Sequence, residues 1–181
     1  MSQRLVLVSD VSGTREDKWI TTYLAALHPH FEITYYDLQE LGRTRLPSTD
    51  LCQMRQDFME SSWAVAQKSF LEAEQARSKE ETVYVGFGIG SKMIWETAPS
   101  QLTAKSLWLI SSPDLPAADH VGVVPAYFYY GGEDPCDKAS VDQDHLSIVP
   151  NFGPTMYMDQ HIAMGICDDL IEEEKKSLQS A

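Results

Sequence analysis

The stretch Thr82-Val83-Tyr84-Val85-Gly86-Phe87-Gly88-Ile89-Gly90-Ser91-Lys92-Met93-Ile94-Trp95-Glu96-Thr97-Ala98 carries more structural information than any other part of the chain. Val83-Tyr84-Val85 is apolar at successive positions, as a strand covered on both faces must be. A helical segment follows at once, and the two are joined through glycines spaced two apart. Such a sharp turn holds its central residue in a strained conformation and needs small flanking residues, so that strand and helix can close on each other. The central residue is Gly88. It has no hydroxyl, thiol or carboxylate, so no covalent intermediate can form on its side chain.

Outward from this turn, six short β-like runs alternate with longer helical ones: 5–9, 31–36, 82–87, 106–111, 125–130 and 145–149. Strict alternation of this kind predicts a parallel sheet with helices on both faces. Leu5-Val6-Leu7-Val8 and Leu107-Trp108-Leu109-Ile110 are continuously apolar and belong in the middle of the sheet. Phe31-Glu32-Ile33-Thr34-Tyr35 alternates and the last run is short and mixed, which places both at the edges. The expectation is an α/β three-layer sandwich, its six-stranded parallel sheet in the order 2-1-3-4-5-6. Thr14 and Asp17 resemble a capping box ahead of Ile20, Tyr23, Leu24 and Leu27. Apolar stripes predict further helices over 57–76 (Met59, Trp63, Ala66, Phe70, Ala73) and 158–178 (Ile162, Ile166, Leu170).

The 181 residues carry 27 acidic against 14 basic side chains, a formal charge of −13, and 43% are apolar, enough for one globular domain over 1–181. An acidic chain without a Lys/Arg stripe lacks the electrostatic attraction on which nucleic-acid affinity rests, and anionic membranes would repel it. The opening apolar run is too short for a signal peptide, and no stretch approaches a membrane span, so a cytoplasmic location is expected. Cys52, Cys136 and Cys167 are scattered, which fits neither a disulfide framework nor a metal or redox motif; they are read as reduced and structural, with no metal site.

The strand–turn–helix with alternate glycines is the setting of the nucleophile elbow G-x-S-x-G, and here the chain resembles the α/β-hydrolase superfamily. Its elbow and helix are most similar to thioesterases and esterases. Leu5 to Trp19, with Gly13, resembles that family's first strand, oxyanion loop and first helix. Ser106 to Pro113 resembles the next strand. Pro125 to Pro135, ending Gly131-Gly132-Glu133-Asp134-Pro135, is similar to the turn that presents the acid of the triad. Ser147 to Gly153 resembles the last strand and the loop that delivers the histidine. The resemblance implies a minimal fold, without the family's leading antiparallel strands and, since 112–124 is short, without a cap domain. It also implies a degenerate site: Gly88 stands at the nucleophile position, Pro154 where the family has its histidine, and only Asp134 survives, with nothing to orient.

Several readings of function follow. The first is a catalytically degenerate protein that binds an acyl, ester or carboxylate ligand, or a protein partner, in the inherited pocket. Its ligand would rest on the main chain at Val11 and Ser12, the amides of Ile89 and Gly90, and Ser111, since backbone donors survive the loss of a serine. The second is an active ester or thioester hydrolase with a relocated nucleophile (Ser91, Ser12 or Ser111) and His161 as base. A third is a non-catalytic accessory subunit. The run Gly86-x-Gly88-x-Gly90-Ser91 is close to a dinucleotide fingerprint but lacks its last small residue. Ser9-x-x-Ser12-Gly13-Thr14 faintly resembles flavodoxins, yet nothing later in the chain supports a flavin, and no cofactor is expected.

Overall fold

The computed structural model describes residues 2–13, 18–77, 79–113, 115–116, 123–136, 138 and 145–181. The apolar run at the start of the chain forms β1 (Gln3–Val8), buried from Arg4 onward. It is followed by α1 (Ile20–Leu27), β2 (Phe31–Tyr36), α2 (Leu38–Leu41), α3 (Leu51–Ser61), α4 (Trp63–Gln75), β3 (Thr82–Phe87), α5 (Ile89–Gln101), β4 (Ala104–Ile110), β5 (Ala126–Gly131), β6 (Leu146–Val149), a 3₁₀ turn (Met156–Met158) and α6 (Gln160–Gln179). All the strands are parallel, and they lie in the order β2-β1-β3-β4-β5-β6. The continuously apolar strands are central and the two mixed ones are edges, as expected. No cap domain is evident among the described residues.

Successive side chains of a strand face opposite sides of the sheet, and this divides the core in two. Leu5, Leu7, Val83, Val85 and Phe87 pack against α1 and α6 through Ile20, Tyr23, Ile166 and Leu170. Val6, Val8, Tyr84, Leu107 and Leu109 pack on the other face against Phe58, Phe70, Met93 and Ile94. A buried ion pair ties the second face together at the start of β1. Arg4 grips Glu74 of α4 through two hydrogen bonds of 2.7 Å, and the hydroxyls of Tyr36 and Tyr84 donate to the same carboxylate.

The helices depart from expectation in one respect. The single helix expected over 57–76 is two helices that meet at Ser62, whose φ of −128° is not helical. Ser61 donates its hydroxyl to the Asp57 carbonyl, the kind of local bond by which serine competes with a helical ladder. The first of the two starts earlier, at Asp50, whose carboxylate accepts from the Gln53 amide. The capping box at Thr14 and Asp17 lies outside the described residues. Of the cysteines, Cys167 is buried and Cys136 half-buried as core residues would be, whereas Cys52 is exposed. No helix among the described residues is long and apolar enough to cross a membrane.

Candidate functional site

The carboxyl ends of β1 and β4 meet at the Gly88 turn that ends β3. Gly88 has φ +56° and ψ −126°, a conformation that a residue with a Cβ adopts only under strain. Its amide donates to the Ile110 carbonyl on the neighbouring strand, and its carbonyl accepts from Ser91 to open α5. A Cβ at Gly90 would lie 2.4 Å from the Ser9 carbonyl oxygen, so the start of the helix is pressed onto the end of β1. The glycines therefore build the elbow expected of them.

Asp10, one turn past β1, fills this elbow. A Cβ built on Gly88 would stand 2.1 Å from the Asp10 carboxyl carbon and from Oδ2. The Asp10 side chain has no exposed surface. Its Oδ1 accepts from the Val11 amide at 2.7 Å and from the Ile89 amide at 3.3 Å. Val11 lies in the loop three residues past the end of β1, and Ile89 directly follows Gly88 at the start of α5. Oδ2 accepts from Arg55 Nη2 at 2.7 Å and from the Tyr157 hydroxyl at 3.0 Å, while Arg55 Nε lies 3.4 Å from Oδ1. The Asp10 carboxylate thus occupies the space above Gly88 and takes up the Val11 and Ile89 amides together.

Three further parts of the chain hold these groups in place. Val11 is fixed by Gln39 of α2, whose amide nitrogen donates to the Val11 carbonyl while its oxygen accepts from Leu46. Arg55 comes from α3, with most of its side chain covered. Burial alone would lower the pKa of this guanidinium, but Asp10, with help from Tyr157 and Asp134, more than offsets it and holds it above its usual range. Tyr157 is buried in the 3₁₀ turn before α6, wedged against Trp19 and Phe87, and its carbonyl accepts from Tyr23. Burial first, and then the Asp10 charge, push the Tyr157 hydroxyl well above the ordinary tyrosine value, so it remains a proton donor.

The remaining sequence candidates are distributed around this centre. Asp134 follows β5 and is 8% exposed; its Oδ1 caps the Cys136 amide and its Oδ2 is buried with no hydrogen-bond partner among the described residues. The loop after β6 docks onto the turn after β5, with the Glu133 amide donating to the Phe152 carbonyl. Pro154, which the resemblance set at the family's histidine position, is half-buried in that loop, and Tyr157 beyond it reaches Asp10. Ser91 is fully buried, its hydroxyl bonded to the Gly86 carbonyl at 2.8 Å. Ser111 directly follows β4 with φ +50°, and its buried hydroxyl has no hydrogen-bond partner among the described residues. Ser12 is half-buried in the Asp10 turn, and His161 is exposed in the first turn of α6. Among the described residues, no group of three or more His, Cys, Asp and Glu is placed to hold a metal ion.

Asp10, Arg55 and Tyr157 did not stand out in the sequence. The one available signal was an acidic residue directly after a wholly apolar central strand. Arg55 is a single basic residue on an amphipathic helix, and Tyr157 reads there as an ordinary core aromatic.

No family model and no curated protein matches the chain. Solved structures do resemble it. A protein assigned to the α/β-hydrolase superfamily from Xanthomonas campestris pv. campestris superposes with a TM-score of 0.69 at 19% identity, covering 96% of this chain and 99% of its own. Est1E from Butyrivibrio proteoclasticus gives 0.64 at 13% identity, covering 97% and 89%. The esterase domain of a Rhodothermus marinus protein gives 0.58 at 12%, covering 96% and 88%. At these identities the likeness is one of fold: the chain has the architecture of α/β-hydrolase esterases over nearly its whole length.

Proposed function

We propose that this chain is a non-hydrolytic protein of the α/β-hydrolase fold, acting as an accessory or partner-binding protein rather than as an enzyme. The observation that carries the reading is the Asp10 carboxylate. It lies where a nucleophile's side chain would project, and it uses the two amides that would stabilise a tetrahedral oxyanion. Loss of either role costs orders of magnitude in rate. The loop that should supply a general base supplies the Tyr157 hydroxyl, which burial and the Asp10 charge keep protonated. A small acyl or carboxylate ligand meets an occupied hole at Val11 and Ile89, which favours a protein partner, engaged through the surrounding loops, over a ligand in the inherited pocket.

A second reading rests on Ser111. Its positive φ and its hydroxyl, buried without a partner among the described residues, are features of a strained functional serine. No hydrogen bond among the described residues joins it to a base. Incubation with a fluorophosphonate probe, followed by peptide mapping, separates the two. The expected result is no labelled serine and no turnover of short acyl esters or thioesters above the buffer rate. Labelling of Ser111 would establish the second reading, and labelling of Ser91 or Ser12 would likewise overturn the first.

A further inference from the structure

The donors around Asp10 hold its carboxylate group rather than its chain. Arg55 Nη2 and the Tyr157 hydroxyl meet one oxygen, and the amides of Val11 and Ile89 meet the other. Three of them, Arg55, Ile89 and Tyr157, come from distant parts of the chain, and only the Val11 amide belongs to the local turn at position 10. An ionised carboxylate offers about four lone-pair sites over its two oxygens, and these donors, with Arg55 Nε at 3.4 Å from Oδ1, leave none of them unfilled. The cluster includes a cation with 22% of its side chain exposed and a fully buried hydroxyl. Gly88 leaves room for the occupant where any side chain would exclude it.

We propose that the elbow of this protein is a small-carboxylate binding site filled in cis, with the Asp10 side chain as a removable occupant. Emptied of that side chain, the site takes a free carboxylate of the same size. Acetate is the matching fragment: its methyl replaces the Asp10 Cβ and its two oxygens take up Arg55, Tyr157 and the two amides. Formate fits with space to spare, whereas trimethylacetate is too wide for a pocket shaped around one methylene. In the intact chain the tethered carboxylate is always present at high effective concentration, so free carboxylates do not compete. This inference deepens the non-hydrolytic reading by naming what the closed site is built to hold.

The test is the thermal stability of Asp10→Gly in sodium acetate, formate, trimethylacetate and chloride at equal ionic strength. Leaving Arg55 without its buried partner should lower Tm by roughly 10 °C in chloride. Acetate should restore about 5 °C in a saturable manner, formate somewhat less, and trimethylacetate nothing beyond chloride. The intact protein and the Asp10→Gly/Arg55→Gln double variant should not respond selectively. Equal Tm values in acetate and chloride, or the same acetate effect on the intact protein, overturn the proposal. Should Asp10→Gly not fold in chloride, the readout is refolding yield from urea: a yield restored by acetate supports the site, and a failure indifferent to acetate refutes it. Failure here leaves the non-hydrolytic reading to the fluorophosphonate experiment, which asks a separate question.

Discussion

A carboxylate with no exposed surface is stable only when its charge is met and its lone pairs are filled, because desolvation alone costs several kcal/mol. Asp10 meets both conditions through Arg55, Tyr157 and two backbone amides. The Tyr157 hydroxyl is the part of this arrangement that can be removed most cleanly, since its ring would stay packed against Trp19 and Phe87. Tyr157→Phe should destabilise the protein by about 2 kcal/mol, the range for a hydrogen bond to a charged group, as read by urea unfolding. A variant as stable as the parent would mean that the hydroxyl does not serve Asp10. At this scale the sequence was legible only in part. The turn itself is visible as Gly88 in its glycine frame, because a sharp strand-to-helix turn has a fixed local pattern. The carboxylate that fills the space above it comes from the loop after β1, and only tertiary structure brings the two together.

The elements were far more legible, because strands and helices announce themselves by period. Val83-Tyr84-Val85 and Leu107-Trp108-Leu109-Ile110 read as doubly covered strands and are central. The division between α3 and α4 escaped notice because the apolar stripe runs on through Ser61 and Ser62, and a break made by serine hydroxyls leaves no mark on hydrophobic spacing. The tie between β1 and α4 is an element-scale device with a pH signature. Burial alone would raise the Glu74 pKa; hydrogen bonds from Arg4, Tyr36 and Tyr84, together with the Arg4 charge, more than offset this and hold it below its ordinary 4.5. A carboxyl with a depressed folded-state pKa stabilises the protein above its unfolded value, and that contribution is lost as pH falls through the folded one. Glu74→Gln should therefore cost about 3 kcal/mol at pH 7, and its gap to the parent in urea unfolding should narrow as pH drops below about 4.5. A gap constant down to the acid transition would place the ion pair outside the stability of the sheet.

Over the whole molecule, the architecture is that of α/β-hydrolase esterases, and the space over its Gly88 turn is filled by Asp10. The strand order is the expected one, Gly88 makes the sharp turn between β3 and α5, the loop after β6 docks on the turn after β5, and esterase structures superpose on nearly the full chain despite identities below 20%. A fold is specified by patterns that many sequences satisfy, whereas a site depends on a few side chains that fold-level likeness does not constrain. The central claim is that the Asp10 carboxylate and a residue-88 side chain compete for one space, so that this elbow cannot hold a nucleophile while Asp10 is there. A double-mutant cycle between Asp10→Gly and Gly88→Ser, read by urea unfolding, tests this most directly. In the parent background Gly88→Ser should cost about 4 kcal/mol, from positive φ and the collision with Asp10 together; with Asp10 already removed it should cost only about 1 to 2, a coupling of at least about 2 kcal/mol. Additive costs, within about 0.5 kcal/mol, would show that Asp10 does not occupy the nucleophile's place and would contradict the account.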